Sequence, residues 1–521
     1  MTLPEWLDPL YSPDEMRAAD SFAMEQRGIF ELELAEKAGA GLASAVKAAA
    51  RAGPVRIVVG PGNNGGDGLI AARLLREAGY LVDVLAPLSL EGVEGVPRTN
   101  LDRLPGPAPQ PFDAALLQGS GAVVDALLGT GFEGAVGEPL DAVISAINAQ
   151  GAPVVAADVP SGVNAATGAV EGLAVEASVT ATNHAPKIGL YVGQGARHAG
   201  PVRVVDIGIP PGEPGAGLAG LTSRRVLRVV PTRPRSDSRF DAGSVLVAGG
   251  ARNSTGAPLL AALAAMRGAA GRVRVAVPAS TAPTVDSRLL EALVHGLQED
   301  RDGRHVEDGA EAVVQLAPPG EVSSEAFVET VVLGPGMGDG PGETSFVRAV
   351  ARAAGRAKLA PLVIASDALS AYSSRAALSE LAGRSGPTVL MTGPGELARL
   401  LAEAPARVEQ DRLSAARTLA DLSDSVILLA GENPTVVSPG GPCAIGPGGT
   451  GSLATNGAGS VLAGLVGALL ARGMEPFPAA AAGVFACTAA GELASERVGG
   501  ASYTIASDLI EALPRALSTL R

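Results

Sequence analysis

The chain has 521 residues, room for roughly two to four domains with full-sized cores, and at 47% hydrophobic and 18% charged residues it is excluded from the disordered class. A net charge of −14 argues against general affinity for nucleic acid or for an anionic membrane surface. Cysteine is confined to Cys443 and Cys487 and histidine to His184, His198, His295 and His305, which supports neither a disulfide framework nor a zinc site and fits a reducing cytoplasm.

Gly 68 and Pro 39 together make about a fifth of the chain with no G-X-Y period, so tight turns and backbone-lined sites are expected. The first residues, MTLPEWLDPLYSPDE, are acidic and broken by proline, and the apolar stretch 461–491 is interrupted by Glu475, Pro476 and Pro478. Neither a signal peptide nor a membrane-spanning helix is expected from them. Helical patterns at 13–28 and 31–52 lead into β-rich runs at 55–59, 81–85, 122–126, 154–157, 175–182 and 202–207. Strands separated by helix-length segments predict parallel βαβ units and a layered α/β domain. The run PPGEPGAGLAG ends this periodicity, which places a first domain at 1–212, a linker at 213–221 and a second domain at 222–521. In that second domain strands are predicted at 245–248, 273–277, 330–333, 362–364, 388–391, 426–429 and 435–437, with a helix at 257–270 and small-residue helices from Thr450 onward. No fixed-period repeat is present.

Function is concentrated at three strand ends of the first domain. The run Gly60-Pro61-Gly62-Asn63-Asn64-Gly65-Gly66-Asp67-Gly68 joins a strand to an amphipathic helix; its glycines permit close approach and positive φ, and a helix N-terminus attracts phosphate. Asp125-Ala126-Leu127-Leu128-Gly129-Thr130-Gly131-Phe132 and Asp158-Val159-Pro160-Ser161-Gly162-Val163 repeat the strand-then-glycine-turn arrangement. Loops at the carboxyl ends of parallel strands converge, so Asn64, Asp125, Asp158 and Ser161 are expected in one pocket, where Asn, Asp and Ser oxygens suit a hard cation. The plainer readings are a turn with an N-cap for the glycine run, helix caps for Asp125 and Asp158, and a solvated surface lysine for Lys187.

GPGNNGGDG, VDALLGTGF, DVPSGVNAATG, APKIGL and VVDIGIP, in that order over about residues 10–212, resemble the NAD(P)H-hydrate epimerase domain, a Rossmann-like three-layer α/β fold with a mainly parallel sheet. The resemblance implies interconversion of the two epimers of hydrated nicotinamide nucleotide at ring carbon six, with K+ in the site. It implies hydrate contacts from Asn63, Asn64, Gly65, Gly66 and Asp67, from Gly129, Thr130, Gly131, Phe132, Glu133, Gly134 and Ala135, and from Asp158. Asn64, Asp125 and Ser161 then hold K+, and Asp158 and Lys187 are the catalytic candidates. Leu128 stands where the family usually has Phe.

From about residue 222 the chain resembles the ribokinase-like, ADP- or ATP-dependent NAD(P)H-hydrate dehydratases, through GSVLVAGGARNSTGAPLLAALAAMRGAAG, VVLGPGMG, ASDALS, PGELARL and ATNGAGSVLAGLVGALLARG. That implies an adenine nucleotide with Mg2+ held by Ala430, Gly431, Gly457, Ala458 and Gly459, and hydrate near Ala257, Gly336, Asp367 and Ser460. The family's Gly-Gly-Ser-Gly-Asp reads Asn456-Gly457-Ala458-Gly459-Ser460, so the positioned base is missing. Leu-Lys-Gly reads Leu429-Ala430-Gly431, the histidine before Pro394 is absent, and the basic entry motif is replaced around residues 238–241. Weak or lost dehydration in this domain is therefore expected. The rivals are a chain that retains both activities, a ribokinase-like small-molecule kinase and a nucleotide-binding scaffold without turnover. The plainer readings of 334–338 and 454–473 are a strand turn and helix packing. Homo-oligomerisation is expected, and binding to nucleic acid or membrane is not.

Overall fold

The computed structural model describes residues 3–212, 217–232, 241–316, 330–355, 361–449 and 451–518. The entry-motif replacement at 238–240 and residues 213–216 of the 213–221 linker lie outside them. Two compact units result: Pro9–Ala219 with Glu409–Arg412, and Gly220–Val408 with Leu413 onward and the residues up to Asp8.

In the front unit every strand pairing is parallel. The order is Gln110–Pro111, Val82–Ala86, Val55–Val59, Ala122–Ala126, Val154–Ala157, Val179–Asn183, Val202–Val205. The first long strand of the chain, Val55–Val59, is thus third of the seven, and the order reverses beside it, which opens a crevice at the strands' carboxyl ends. Val55, Ile57, Val58 and Val59 are all fully buried, so both faces of this strand are covered, as a near-continuous run of Val and Ile requires. Helices Glu31–Ala49 and Asn63–Glu77 contribute Leu42, Val46, Leu69, Ala72 and Leu75 to one of those faces. The helical pattern at 13–28 resolves into the helix Pro13–Ser21, capped reciprocally by Ser12 and Glu15, followed by a π-helical turn Phe22–Gln26.

The second unit carries an 11-stranded sheet among the described residues. From Leu293–Leu297 it runs through Arg272–Pro278, Ser244–Ala248, Thr330–Leu333, Leu362–Ala365 and Thr388–Thr392 to Val426–Leu429, all parallel. Thr435–Val437 and Cys443–Ile445 continue it antiparallel, followed by Ala219–Thr222 and Leu7–Pro9. Both units are therefore α/β with mainly parallel sheets, as the element pattern predicts.

The prolines at 476 and 478 do not interrupt structure. Proline fits the first helical turn, where its missing N–H has no partner in any case, and here it opens the 23-residue helix Pro476–Val498. By length and composition alone that helix is able to cross a membrane, contrary to the expectation from its prolines; 72% of its apolar window is buried in the protein core. Cys443 and Cys487 are both buried, and burial pushes their thiols up to about 12, away from nucleophilic chemistry.

Candidate functional site

The glycine run is shorter as a loop than its composition suggests. The helix begins at Asn63 with Gly62 as its N-cap and no capping side chain, so Asn63 to Asp67 belong to its first turns and its leading N–H groups are left for a ligand. None of Gly60, Gly62, Gly65, Gly66 or Gly68 has positive φ. At Gly60 and Gly65 the requirement is space: a Cβ on Gly65 would lie 1.8 Å from the Gly60 carbonyl oxygen, and one on Gly60 2.1 Å from that of Leu127. Close backbone contact between neighbouring loops, not turn geometry, selects glycine here.

The loops converge as expected. Asn64 Nδ2 donates to the Leu128 carbonyl at 2.8 Å; Ser161 Oγ donates to Asp125 Oδ1 at 2.6 Å, and the Ser161 N–H donates to Asp125 Oδ2 at 2.8 Å. Asp125 is fully buried, and burial pushes its carboxyl up to about 6 despite the bonds from Ser161 and the Leu127 N–H. It caps no helix, for its acceptors serve Ser161 and the start of its own loop. Asn64 Oδ1 is buried without a hydrogen-bond partner among the described residues. An unsatisfied amide oxygen beside a buried carboxylate and a hydroxyl is the donor set of a hard, weakly charged cation, so these residues fit K+.

Lys187 is 1% exposed, not a solvated surface lysine. Its ammonium donates to Asp158 Oδ1 at 2.7 Å, Thr182 Oγ1 at 3.0 Å and the Asn183 carbonyl at 2.7 Å, which uses all three protons. Asp158 also accepts from the Thr130 N–H at 3.2 Å and from the Thr130 hydroxyl. Burial raises the Asp158 carboxyl, but the Lys187 charge and these bonds outweigh it and hold the group below its ordinary value, ionised. Its backbone is left-handed at φ 61, a conformation a non-glycine residue keeps only where its surroundings impose it.

These groups line one cavity of about 900 Å³ with Asn63, Asp67, Gly129, Thr130, Gly131, Phe132 and Glu133. Its size suits an extended organic ligand with phosphates. Asp125, Ser161, Gly65 and Gly66 stand behind that lining, and Gly134 and Ala135 follow it in the chain without reaching it. Asp67 is half-buried and accepts from Asn183 Nδ2 at 3.1 Å; burial, then the Asp158 charge, push its carboxyl up to about 8. Because the folded value lies above the unfolded one, its contribution to stability is complete below pH 4 and is lost as pH rises towards 8. Asp67→Asn, which can still accept from Asn183, is therefore expected to stabilise the chain by about 1–3 kcal/mol at pH 8 and by almost nothing at pH 4, as read from urea midpoints.

Sequence reasoning missed Arg17, Asp20 and Glu31, which line the same cavity. Helix Pro13–Ser21 precedes the first strand of the sheet, and no loop motif ties it to the strand ends. Its seat comes from tertiary packing of Met16, Ala19 and Phe22 with Leu34, Ala38, Ala185 and Ile207.

In the second unit Ala257, the second residue of helix Gly256–Arg267, and Gly336 are neighbours: a Cβ on Gly336 would sit 3.0 Å from that of Ala257 and 2.7 Å from Ser254 Oγ. Gly336 is also left-handed at φ 69, so both space and backbone demand glycine. Asp367 accepts from the Gly338 N–H at 2.9 Å, which spends one carboxylate oxygen on the loop itself. Gly457, at φ 91, caps helix Ala458–Ala471, and a Cβ there would meet Leu260 at 2.3 Å. Gly459 has open space beside it, and Ser460 is half-buried in the first helical turn. The Ala430 N–H extends the sheet to the Thr392 carbonyl at 2.7 Å, and Gly431 follows at φ 146.

A family model described as NAD(P)H-hydrate dehydratase matches residues 245–515, and one described as YjeF-related protein N-terminus matches residues 31–189. The chain is 35% identical over 474 residues to the bifunctional NAD(P)H-hydrate repair enzyme Nnr of Salinibacter ruber, covering 83% of this chain and 82% of that protein. It is 34% identical over 455 residues to the protein of the same name from Moorella thermoacetica, again covering 83% and 82%. A crystal structure of ADP/ATP-dependent NAD(P)H-hydrate dehydratase from Bacillus subtilis, co-crystallised with ATP and Mg2+, is 24% identical with a TM-score of 0.47, covering 57% of this chain and 96% of that one.

Proposed function

The chain belongs to the family of bifunctional NAD(P)H-hydrate repair enzymes, and on that footing we propose that its front unit interconverts the two epimers of hydrated NAD(P)H, while its second unit binds ADP or ATP with Mg2+ and dehydrates the hydrate poorly. The observation that carries the first part is the meeting of three strand-end loops at one cavity that contains the Asp158–Lys187 pair. Helix Asn63–Glu77 offers its uncapped N-terminus to the ligand's phosphates, and Thr130 fixes the Asp158 carboxylate. That carboxylate, held ionised, faces the positive charge that develops on the ring as the hydroxyl departs.

K+ held by Asn64 Oδ1, the Asp125 carboxylate and Ser161 Oγ would neutralise Asp125 and tie the three loops together. Bonds among the chain's own residues support this reading: Ser161 ties its loop to the one that runs from Asp125 through Leu128, and Asn64 bonds the Leu128 carbonyl. Asp125→Asn, which keeps the shape and removes the charge, is expected to raise the K+ concentration for half-maximal epimerisation at least about tenfold. The same variant should abolish the rise in melting temperature that K+ gives the parent chain. A parent chain whose melting temperature and epimerisation are both indifferent to K+ would remove the ion from this account.

The second part rests on Ser460 and Ala430, which stand where the resemblance expects a base and a cation. Backbone N–H groups at the start of helix Ala458–Ala471 still offer a phosphate cradle, so nucleotide binding and catalysis separate.

A further inference from the structure

We propose that Asp20 is a second acid/base group of the epimerisation, meeting the reacting ring from a wall of the cavity separate from the one that carries Asp158. The inference rests on the epimerase reading of the front unit and deepens it. Asp20 is the penultimate residue of helix Pro13–Ser21, whose start is locked by the Ser12–Glu15 capping box and whose Met16 and Ala19 are buried. Immediately after it the chain widens into the π-helical turn Phe22–Gln26, an irregularity found often at functional sites, with Phe22 packed into the apolar cluster beneath. The Asp20 side chain is therefore aimed by a firmly held helix.

Asp20 lines the cavity and is half-buried, yet no hydrogen bond reaches its carboxyl from the described residues, whereas Asp158 accepts from five groups. A carboxyl unspent on the protein is available to a ligand. The charged and titratable groups facing the same space are Glu31 on the next helix, Asp67 on the glycine-run helix, Asp158 and Lys187 from the strand-end loops, Arg17 on its own helix, and Glu133. Burial raises the Asp20 carboxyl to about 6; Lys187 opposes the rise, and Asp158 and Glu31 add to it. Asp20 thus exchanges a proton near neutrality, which Asp158, held ionised by Lys187, does not do.

Inversion at a carbon bearing a hydroxyl needs proton traffic on both faces of the ring. In the step proposed, the Asp20 carboxylic acid gives its proton to the hydroxyl oxygen, the C–O bond breaks with its electron pair leaving as water, and the ring nitrogen lone pair forms the C=N bond of an iminium. Water then adds to the opposite face, its oxygen forming the new C–O bond while the C=N electrons return to nitrogen and the released proton returns to a carboxylate. Atoms and charge balance, and no oxidant or reductant enters.

The test uses the full chain and one purified epimer of NADPH hydrate, with kcat and KM for its interconversion measured from pH 5 to 9 for the parent, Asp20→Asn and Asp20→Glu. Asp20→Asn is expected to lower kcat about 10²-fold with KM changed less than about threefold, and to remove the limb near pH 6. Asp20→Glu should restore most of the rate with that limb displaced. A parent that interconverts the epimers while Asp20→Asn keeps its rate and pH profile would overturn this inference alone; an inert parent would overturn the epimerase reading with it. Should circular dichroism show Asp20→Asn to be misfolded, an Asp20→Glu profile superimposable on the parent's would still overturn the inference.

Discussion

Lys187→Met is expected to lower the stability of the chain by about 3–5 kcal/mol at pH 8, the cost of leaving a buried carboxylate without its cation. The parent pair has an N–O distance of 2.7 Å with the Lys187 side chain 1% and the Asp158 side chain 12% exposed, so little solvent is at hand to replace the ammonium. Without Lys187 only the burial of Asp158 and its hydrogen bonds remain, and burial raises the carboxyl. A raised folded value means that the native state holds a proton the unfolded state has released. The loss in Lys187→Met therefore shrinks as pH falls towards 4 and is largest above the new value. Adding Asp158→Asn should recover part of the loss, with a coupling of about 1–3 kcal/mol in a double-mutant cycle on urea unfolding. A loss under about 1 kcal/mol for Lys187→Met, independent of pH, would show that the pair is solvated.

Joint replacement of Ser460 by Asp and Ala430 by Lys is expected to raise ADP-dependent formation of NADPH from its hydrate by at least about 10²-fold, while Ser460→Asp alone gains less than about tenfold. The asymmetry follows from what each group supplies. A carboxylate at 460 takes a proton, a contribution of about 10² to 10⁴ in rate, but only when charge on the transferring phosphoryl group is offset by a cation. Ala430 directly follows the strand Val426–Leu429, with its N–H on the Thr392 carbonyl, so a longer side chain there starts from fixed backbone. ADP should raise the melting temperature of the parent and of both variants, because the cradle is backbone. A parent chain already fast with ADP would refute the separation of binding from turnover.

Element order was legible because buried parallel strands read as runs of Val, Ile and Ala: Val55–Val59, Ala122–Ala126 and Val426–Leu429 have the bounds expected of them. Short strands such as Leu7–Pro9, Gln110–Pro111 and Cys443–Ile445 carry too few residues to show a period, and pairing alone makes them strands. The convergence of Asn64, Asp125, Asp158 and Ser161 was legible because strand-end loops of a parallel sheet meet. The burial of Lys187 was not: it lies in an irregular segment held by its bridge to Tyr11, and no spacing encodes a solvent-free ammonium there. Asp20 was hidden for a similar reason, since its helix reaches the cavity only through packing of Met16 and Ala19.

The claim on which the rest depends is that the front unit performs its chemistry without nucleotide. One purified epimer of NADPH hydrate, incubated with the chain in K+ buffer without ADP or ATP and followed by chromatography, tests it most directly. Approach to the two-epimer equilibrium with the parent chain, slowed about 10² to 10⁴-fold in a folded Asp158→Asn variant, is the predicted result. An epimer that stays unchanged beside the parent chain at every K+ concentration, or that equilibrates equally fast with Asp158→Asn, would contradict it.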